Sequence, residues 1–389
     1  MKRIYLDWAA AAPVSAGALR AFSKAVKIYG NPSAAHEEGR AGQEILEDAR
    51  RRIAHLAGAK PEAVTFTSGA TEANALAIRG HVGALLAGKR SPGSIRLMYH
   101  PGAHASVVRT MEQLSKEGVK AVPVPLLDGE VDVDALVREL APEIALISLE
   151  VVSPDTGARV DLRRIRAALT KARPNGPRVF LHADASQLPL SESFERTRLG
   201  ADLITLDAQK VGGVRGIGCL ITAPGVPLAP ILFGGGQERG MRSGTESPAL
   251  AASYASALEE CAARRELFSA DAQKMRSEII RTLEAALPPL LVNQGRKNVP
   301  HILNLSFPGR DTDYLATLLN ERGFAVSTKS ACETDSEEGS RAVAALTNDV
   351  ARAASTLRIS WGPATRLTDV NRFVKALIES VRFLDRNTL

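Results

Sequence analysis

Through about the first two-thirds of the chain, apolar runs of strand length alternate with stretches whose apolar residues recur at helical spacing. Residues 63–67, 95–99, 144–149, 179–183 and 202–206 predict strands, and residues 72–87 and 162–172 predict helices between them. The strand runs are apolar at consecutive positions, so both faces need cover. That pattern predicts a mostly parallel sheet layered by helices, an α/β arrangement. From about Ser253 the texture changes. A helical pattern over 257–287 ends at Pro288-Pro289, short strands follow around 302–307 and 357–360, and a last helix starts near Thr368. This second part reads as a smaller α+β unit.

A chain of 389 residues is long enough for two cores of ordinary size. With 45% hydrophobic and 24% charged residues it is not a disordered chain. No apolar run approaches the ~20 residues that cross a bilayer. Met1-Lys2-Arg3 leads into no apolar secretion segment, so a cytoplasmic protein without a membrane partner is expected. The net charge is +6, but the basic residues stand singly or in short clusters among acidic neighbours, and only 4% of residues are aromatic. Solvated helix faces explain that charge better than a nucleic-acid partner does. Cys219, Cys261 and Cys332 form no disulfide framework, which fits a reducing compartment. Cys332 falls in the polar stretch 329–340, an expected exposed loop, whereas Cys219 and Cys261 read as small core residues.

Three constellations could carry chemistry. In residues 65–74 a strand ends, Ser68-Gly69-Ala70-Thr71 turn the chain, and a helix begins. Such a turn can cradle a phosphate on backbone N–H groups, or it can be an ordinary helix cap. Asp184 follows the strand 179–183, at the edge where α/β sheets bind ligands, and could pair with a protonated ring nitrogen or simply close a turn. Lys210 follows the strand 202–206 and precedes a glycine-rich turn, a position suited to a Schiff-base lysine or to an ordinary surface lysine.

Phosphate cup, aspartate and lysine occur in the order found in fold-type I pyridoxal-phosphate (PLP) enzymes, and the chain resembles that group. Further segments narrow the likeness to the NifS/IscS-like cysteine desulfurases of the class V aminotransferases. They are Tyr5-Leu6-Asp7, Gly30-Asn31-Pro32-Ser33-Ala34-Ala35-His36, Gly102-Ala103-His104-Ala105-Ser106, His182-Ala183-Asp184-Ala185-Ser186-Gln187, Arg242-Ser243-Gly244-Thr245, Pro300-His301-Ile302-Leu303-Asn304, Ser330-Ala331-Cys332 and Leu357-Arg358-Ile359-Ser360. The resemblance implies a mostly parallel seven-stranded sheet in a large domain of residues 15–255. Residues 1–14 and 256–389 would form the small α+β domain.

It also implies roles. Ala70 and Thr71 would hold the cofactor phosphate, with Asp207 and Gln209 beside it. His104 would stack on the ring and move protons, Asp184 would pair with the ring nitrogen, and Gln187 would bond its phenolic oxygen. Lys210 would carry PLP, and Arg358 with Asn31 would bind the substrate, L-cysteine. Cys332 would take its sulfur as a persulfide, releasing L-alanine, and pass it to an acceptor such as an iron–sulfur scaffold. Thr245 would reach the phosphate of a neighbouring subunit, which implies a homodimer; no metal is expected. A related PLP lyase or aminotransferase, for example one acting on selenocysteine, and a non-catalytic scaffold homologue are the alternatives.

Three segments depart from the family pattern. Asp207-Ala208-Gln209-Lys210 stands where Ser-x-His-Lys is usual, placing a carboxylate near a phosphate. Pro154, in 152–157, replaces an asparagine and cannot donate a hydrogen bond. Glu333, Asp335, Glu337 and Glu338 follow Cys332, and their charge should raise its thiol pKa.

Overall fold

The computed structural model describes residues 3–328 and 339–387; Cys332 and its acidic neighbours lie outside the described residues. Seven strands form one sheet: β1 (Val64–Thr67), β2 (Arg96–Tyr99), β3 (Lys120–Pro123), β4 (Ile144–Glu150), β5 (Phe180–Asp184), β6 (Leu203–Asp207) and β7 (Gly218–Thr222). Their order is β1-β7-β6-β5-β4-β2-β3. β7 runs antiparallel to both β1 and β6, and the other neighbours are parallel. Every residue of β4 and β6 is buried, the result of apolar runs covered on both faces. The register sets Thr67, Gly218 and Asp207 side by side, and pairs Glu150 with Asp184. The ends of β1, β4, β5 and β6 therefore open onto one edge of the sheet.

The helices that concern the site are α1 (Ala16–Ala25), α2 (Glu37–Leu56), α3 (Ala70–Ala75), α4 (His81–Ala87), α5 (Ala105–Lys116), α6 (Leu162–Ala172), α7 (Pro248–Ala286) and α8 (Leu367–Asn387). α6 has the bounds the sequence predicts. The helix expected over 72–87 begins at Ala70 and passes through a wider π turn over Leu76–Gly80 before α4. α7 begins at Pro248, earlier than the pattern at 257 suggests, because 249–258 is small and apolar nearly all round and lacks an amphipathic stripe. Ser247 caps α7 by accepting the Leu250 N–H, with Pro248 in the first turn. Early in α7, Glu259 pairs with Arg52 of α2; further along, Arg276 donates to the Ile302 carbonyl.

Ile302 lies in a second, antiparallel sheet of β8 (Leu291–Val292), β9 (Ile302–Ser306) and β10 (Thr356–Ser360). The start of the chain joins this region. Ile4 and Tyr5 pair with Phe324 and Ala325, and Asp7 bridges Ser360. Trp8 packs so closely on Gly362 that a Cβ there would lie 2.1 Å from the indole. Among the described residues no helix is long and apolar enough to cross a membrane.

Candidate active site

A cavity of about 280 Å3 sits at the common edge of the strands, lined by Ala9, Ala10, Ala70, Thr71, His104, Glu150, Pro154, Asp184, Gln187, Asp207, Gln209, Lys210 and Arg358, among others. Ten of the residues singled out in the sequence thus meet in one place: Ala70, Thr71, His104, Pro154, Asp184, Gln187, Asp207, Gln209, Lys210 and Arg358. Asn31 and Thr245 do not line it. Both are exposed, and the Asn31 carboxamide is turned to the Ser33 N–H at 2.9 Å.

Asp184 is the most firmly held group. One carboxylate oxygen accepts the hydroxyl and N–H of Ser186 at 2.7 and 3.1 Å, and the other accepts the Asn74 amide at 2.8 Å. Asn74 Nδ2 also donates to Ser106 Oγ (2.9 Å), which lies 2.8 Å from His104 Nδ1. The Ser106 N–H donates to the same ring nitrogen at 3.1 Å. Nδ1 is therefore an acceptor, and the proton of the neutral ring resides on Nε2. Asn74, Ser106 and Ser186 were not singled out in the sequence, although Asn74 closes the 65–74 motif and the two serines flank His104 and Asp184. His182 beneath them is a neutral spacer: it bridges Ser148 and Thr205 at 2.8 and 3.0 Å, and burial pushes it down to about 4.

Lys210 follows β6 in a short 3-10 turn, and its Nζ donates to the carbonyls of Ala9 and Ala10 at 2.8 and 2.7 Å. Gln187 Nε2 donates to the same Ala9 carbonyl at 2.8 Å and carries a second proton for a ligand. The turn between β1 and α3 is pressed against β7: a Cβ on Gly218 would lie 2.7 Å from the Gly69 carbonyl carbon. Gly69 itself has φ 156°. The Ala70 N–H, expected to serve a phosphate, donates to Asp207 Oδ2 at 2.9 Å, and the Gln209 N–H donates to Oδ1 at 3.0 Å. Burial raises the Asp207 carboxyl above its ordinary value against those two hydrogen bonds. Glu72, which accepts the Ser68 N–H at 2.8 Å, pairs with Arg242.

Arg358, on β10, enters between two carboxylates. It donates to Asp7 at 2.8 Å, to Asp155 at 3.1 Å and to the Pro154 carbonyl at 3.3 Å. Pro154 thus contributes its acceptor, which needs no N–H. Asp155 also accepts the Ser340 hydroxyl at 2.8 Å, and Ser327 exchanges backbone hydrogen bonds with Arg358. The chain on both sides of the undescribed 329–338 is thereby fastened to this arginine.

Glu150, the last residue of β4, is a site residue that the sequence reading passed over. It is buried, accepts the His104 N–H and faces Asp184 and Asp155. Burial first, then the two neighbouring carboxylates, push it well above the ordinary carboxylate range. The departure of a charged residue from an otherwise apolar strand was its signal.

This α/β frame, with a lysine and an aspartate at the edge of a mostly parallel sheet, defines the fold-type I class. Residues 4–373 match the family described as Aminotransferase class-V, and the chain belongs to it. It is 30% identical to the cysteine desulfurase IscS of Dictyoglomus turgidum, over 98% of this chain and 96% of that one. It is also 30% identical to the human selenocysteine lyase, over 99% and 93%. A solved structure of a NifS-like protein superposes with a TM-score of 0.89 at 27% identity, covering 98% of this chain and 100% of that chain.

Proposed function

We propose that the protein is a PLP-dependent cysteine desulfurase that moves the sulfur of L-cysteine to Cys332 and releases L-alanine. The observation that carries this reading is that one cavity gathers Lys210, Asp184, His104 and Arg358. Its donor set fits the cofactor's ring: a fixed buried carboxylate for the ring nitrogen, a free amide proton on Gln187 for the phenolic oxygen, and a lysine within the same cavity. At the phosphate end Ala70, Thr71 and Gln209 would act, with the Ala70 amide shared with Asp207. When bound, PLP supplies an electron sink at the substrate's Cα, strengthened by a protonated ring nitrogen.

The chain's own groups do the rest. Asp184, anchored by Ser186 and Asn74, would keep a proton on that nitrogen. Lys210, held by the Ala9 and Ala10 carbonyls, would hold the cofactor and serve as the base at the substrate's Cα. Arg358 presents a planar fork for the substrate carboxylate, which takes over from Asp7 or Asp155. His104, with its proton on Nε2, can donate to a leaving or developing centre. Cys332 Sγ, as its thiolate, attacks the substrate sulfur; an S–S bond forms as the C–S bond breaks, and the electron pair of that C–S bond, joined by a proton, ends in a C–H bond of alanine. No external oxidant or reductant enters.

The reading includes the two-domain division at residues 15–255, a cytoplasmic location, and an acceptor such as an iron–sulfur scaffold. It also includes a homodimer, supported by Leu232 and Phe233. These are 43% and 85% exposed just before the segment that carries Thr245. In the homodimer Thr245 would reach the neighbouring subunit's phosphate, and Asn31 would assist substrate binding.

The test is alanine and sulfide release from L-cysteine with a thiol reductant, for wild type, Cys332→Ala and Lys210→Ala. Equal rates of both products, lost in either variant, are expected. Turnover that survives Cys332→Ala, on cysteine or selenocysteine, points instead to a lyase or aminotransferase.

A further inference from the structure

The phosphate end of the site already holds an anion. Asp207 Oδ2 takes the Ala70 N–H at 2.9 Å, and an ideal Cβ on neighbouring Gly69 would lie 3.3 Å from the same oxygen. The carboxylate is placed on the amide that opens the helical run 70–87, where an incoming phosphoryl oxygen would also have to bind. It has little room to leave. The residue is 6% exposed, and β6 sets it beside Gly218, which is itself pressed against Gly69.

Several groups face Asp207. Lys210 favours its ionised form, and Asp184 of β5 opposes it. Cys219 of β7, pushed up by burial to about 12, and Tyr254 of α7, also raised by burial, are neutral. The backbone N–H groups of Ala70 and Gln209 favour the anion, but burial outweighs them, so Asp207 accepts a proton more readily than an ordinary aspartate. A dianionic phosphate next to it strengthens that tendency, because two like charges competing for one donor in a buried site cannot both stay fully ionised.

We propose that Asp207 sets the phosphate specificity of this site: its carboxylate and the cofactor's phosphoryl group compete for the Ala70 amide, so the phosphorylated cofactor binds with one extra proton held between them. The proposal rests on the PLP reading and deepens it. Protonated, Asp207 is a donor to the phosphate; ionised, it repels the phosphate, so the preference for phosphorylated over unphosphorylated pyridoxal shrinks as pH rises. Binding coupled to one proton weakens about tenfold per pH unit above the pKa values of the groups that share it. The phosphate's own second ionisation, near pH 6, adds nothing further above about pH 7.

The test is equilibrium titration of the full-length protein with PLP and, separately, with pyridoxal, followed by absorbance of the bound chromophore between pH 7 and 8.5. Both compounds react with the lysine through an aldehyde, so once the fraction of pyridoxal closed as its internal hemiacetal is corrected for at each pH, the ratio of their dissociation constants isolates the phosphate. In wild type that ratio is expected to move against PLP by about tenfold per pH unit. In Asp207→Ser and Asp207→Asn it is expected to be flat, with PLP bound at least tenfold more tightly than by wild type at pH 8.5 and pyridoxal changed less than threefold. A wild-type ratio flat across this range, or one that keeps its slope in both variants, overturns the proposal while leaving the PLP reading intact. Binding of neither compound by wild type or variants defeats the PLP reading, and this inference with it.

Discussion

Replacing Glu150 by Gln tests whether the site keeps a neutral carboxyl at its centre. Glutamine matches glutamate in shape and still offers an oxygen to the His104 N–H, so the substitution removes the ability to ionise and little else. The native carboxyl titrates well above the ordinary range, because β4 buries it and Asp184 and Asp155 face it; Lys210 and the His104 N–H offset this only in part. An unfolded glutamate titrates near 4.3. Above that pH the unfolded state sheds the proton while the folded state keeps it, so stability falls as pH rises until the folded group ionises in turn. The slope for one such proton is about 1.4 kcal/mol per pH unit. Glu150→Gln carries no such proton. Its advantage over wild type is therefore expected to grow as pH rises above about 4.3, by up to about 1.4 kcal/mol per pH unit, until the folded pKa is reached. Urea unfolding of both cofactor-free proteins at half-unit pH steps measures the gap. A gap that is constant with pH, or that narrows as pH rises, would mean that Glu150 is ionised in the native protein, and the account of this corner of the site would be wrong.

Two other outcomes are expected. Arg50 and Glu238 form a bidentate pair at 2.7 and 2.8 Å, both buried, with Glu238 also holding the Phe66 N–H of β1. Glu238→Ala should cost about 3 kcal/mol in unfolding free energy by removing the bidentate partner of a buried cation that keeps Glu47 and the Val64 carbonyl, and Arg50→Met with Glu238→Leu should recover much of that loss; an undiminished midpoint in the single variant would show that the pair contributes little. Cys219 and Cys261 are buried thiols pushed up to about 12, so a disulfide reagent at pH 8 should label native protein rapidly at Cys332 alone. Fast labelling that persists in Cys332→Ala would contradict this.

The sheet and much of the site were legible in the sequence because several site residues lie at or just past a strand end or open a helix, and strand ends are marked by a change from apolar to small or polar residues. Asp184, Lys210 and the 67–71 turn are of this kind. What was not legible lies across the chain. Asp7 reaches Arg358 over 351 positions, and Asn74 reaches Asp184 over 110. No local pattern encodes such a pair. Glu150 was missed because the strand pattern ended, on paper, one residue earlier. Asp207 was flagged as a carboxylate near a phosphate, but only the three-dimensional register, with Thr67, Gly218 and Asp207 abreast, brings it close enough to take the Ala70 amide itself.

The docking of residues 4–10 has a consequence for how the enzyme comes into being. These residues supply the strand beside Phe324, the carboxylate on Arg358 and the two carbonyls on Lys210. During synthesis they are made 351 residues before Arg358, so they must wait, undocked, until nearly the whole chain has emerged. The seven-stranded sheet can assemble while they wait, since all its strands lie between Val64 and Thr222. Closure of the site is then the late, long-range step, slow because the two ends of the chain must find each other. A nascent chain stalled before residue 358 would have Asp184 in place on its strand, yet lack Arg358 and, with residues 9 and 10 undocked, the two carbonyls that hold Lys210. Topology alone thus leaves the cavity incomplete in partial chains.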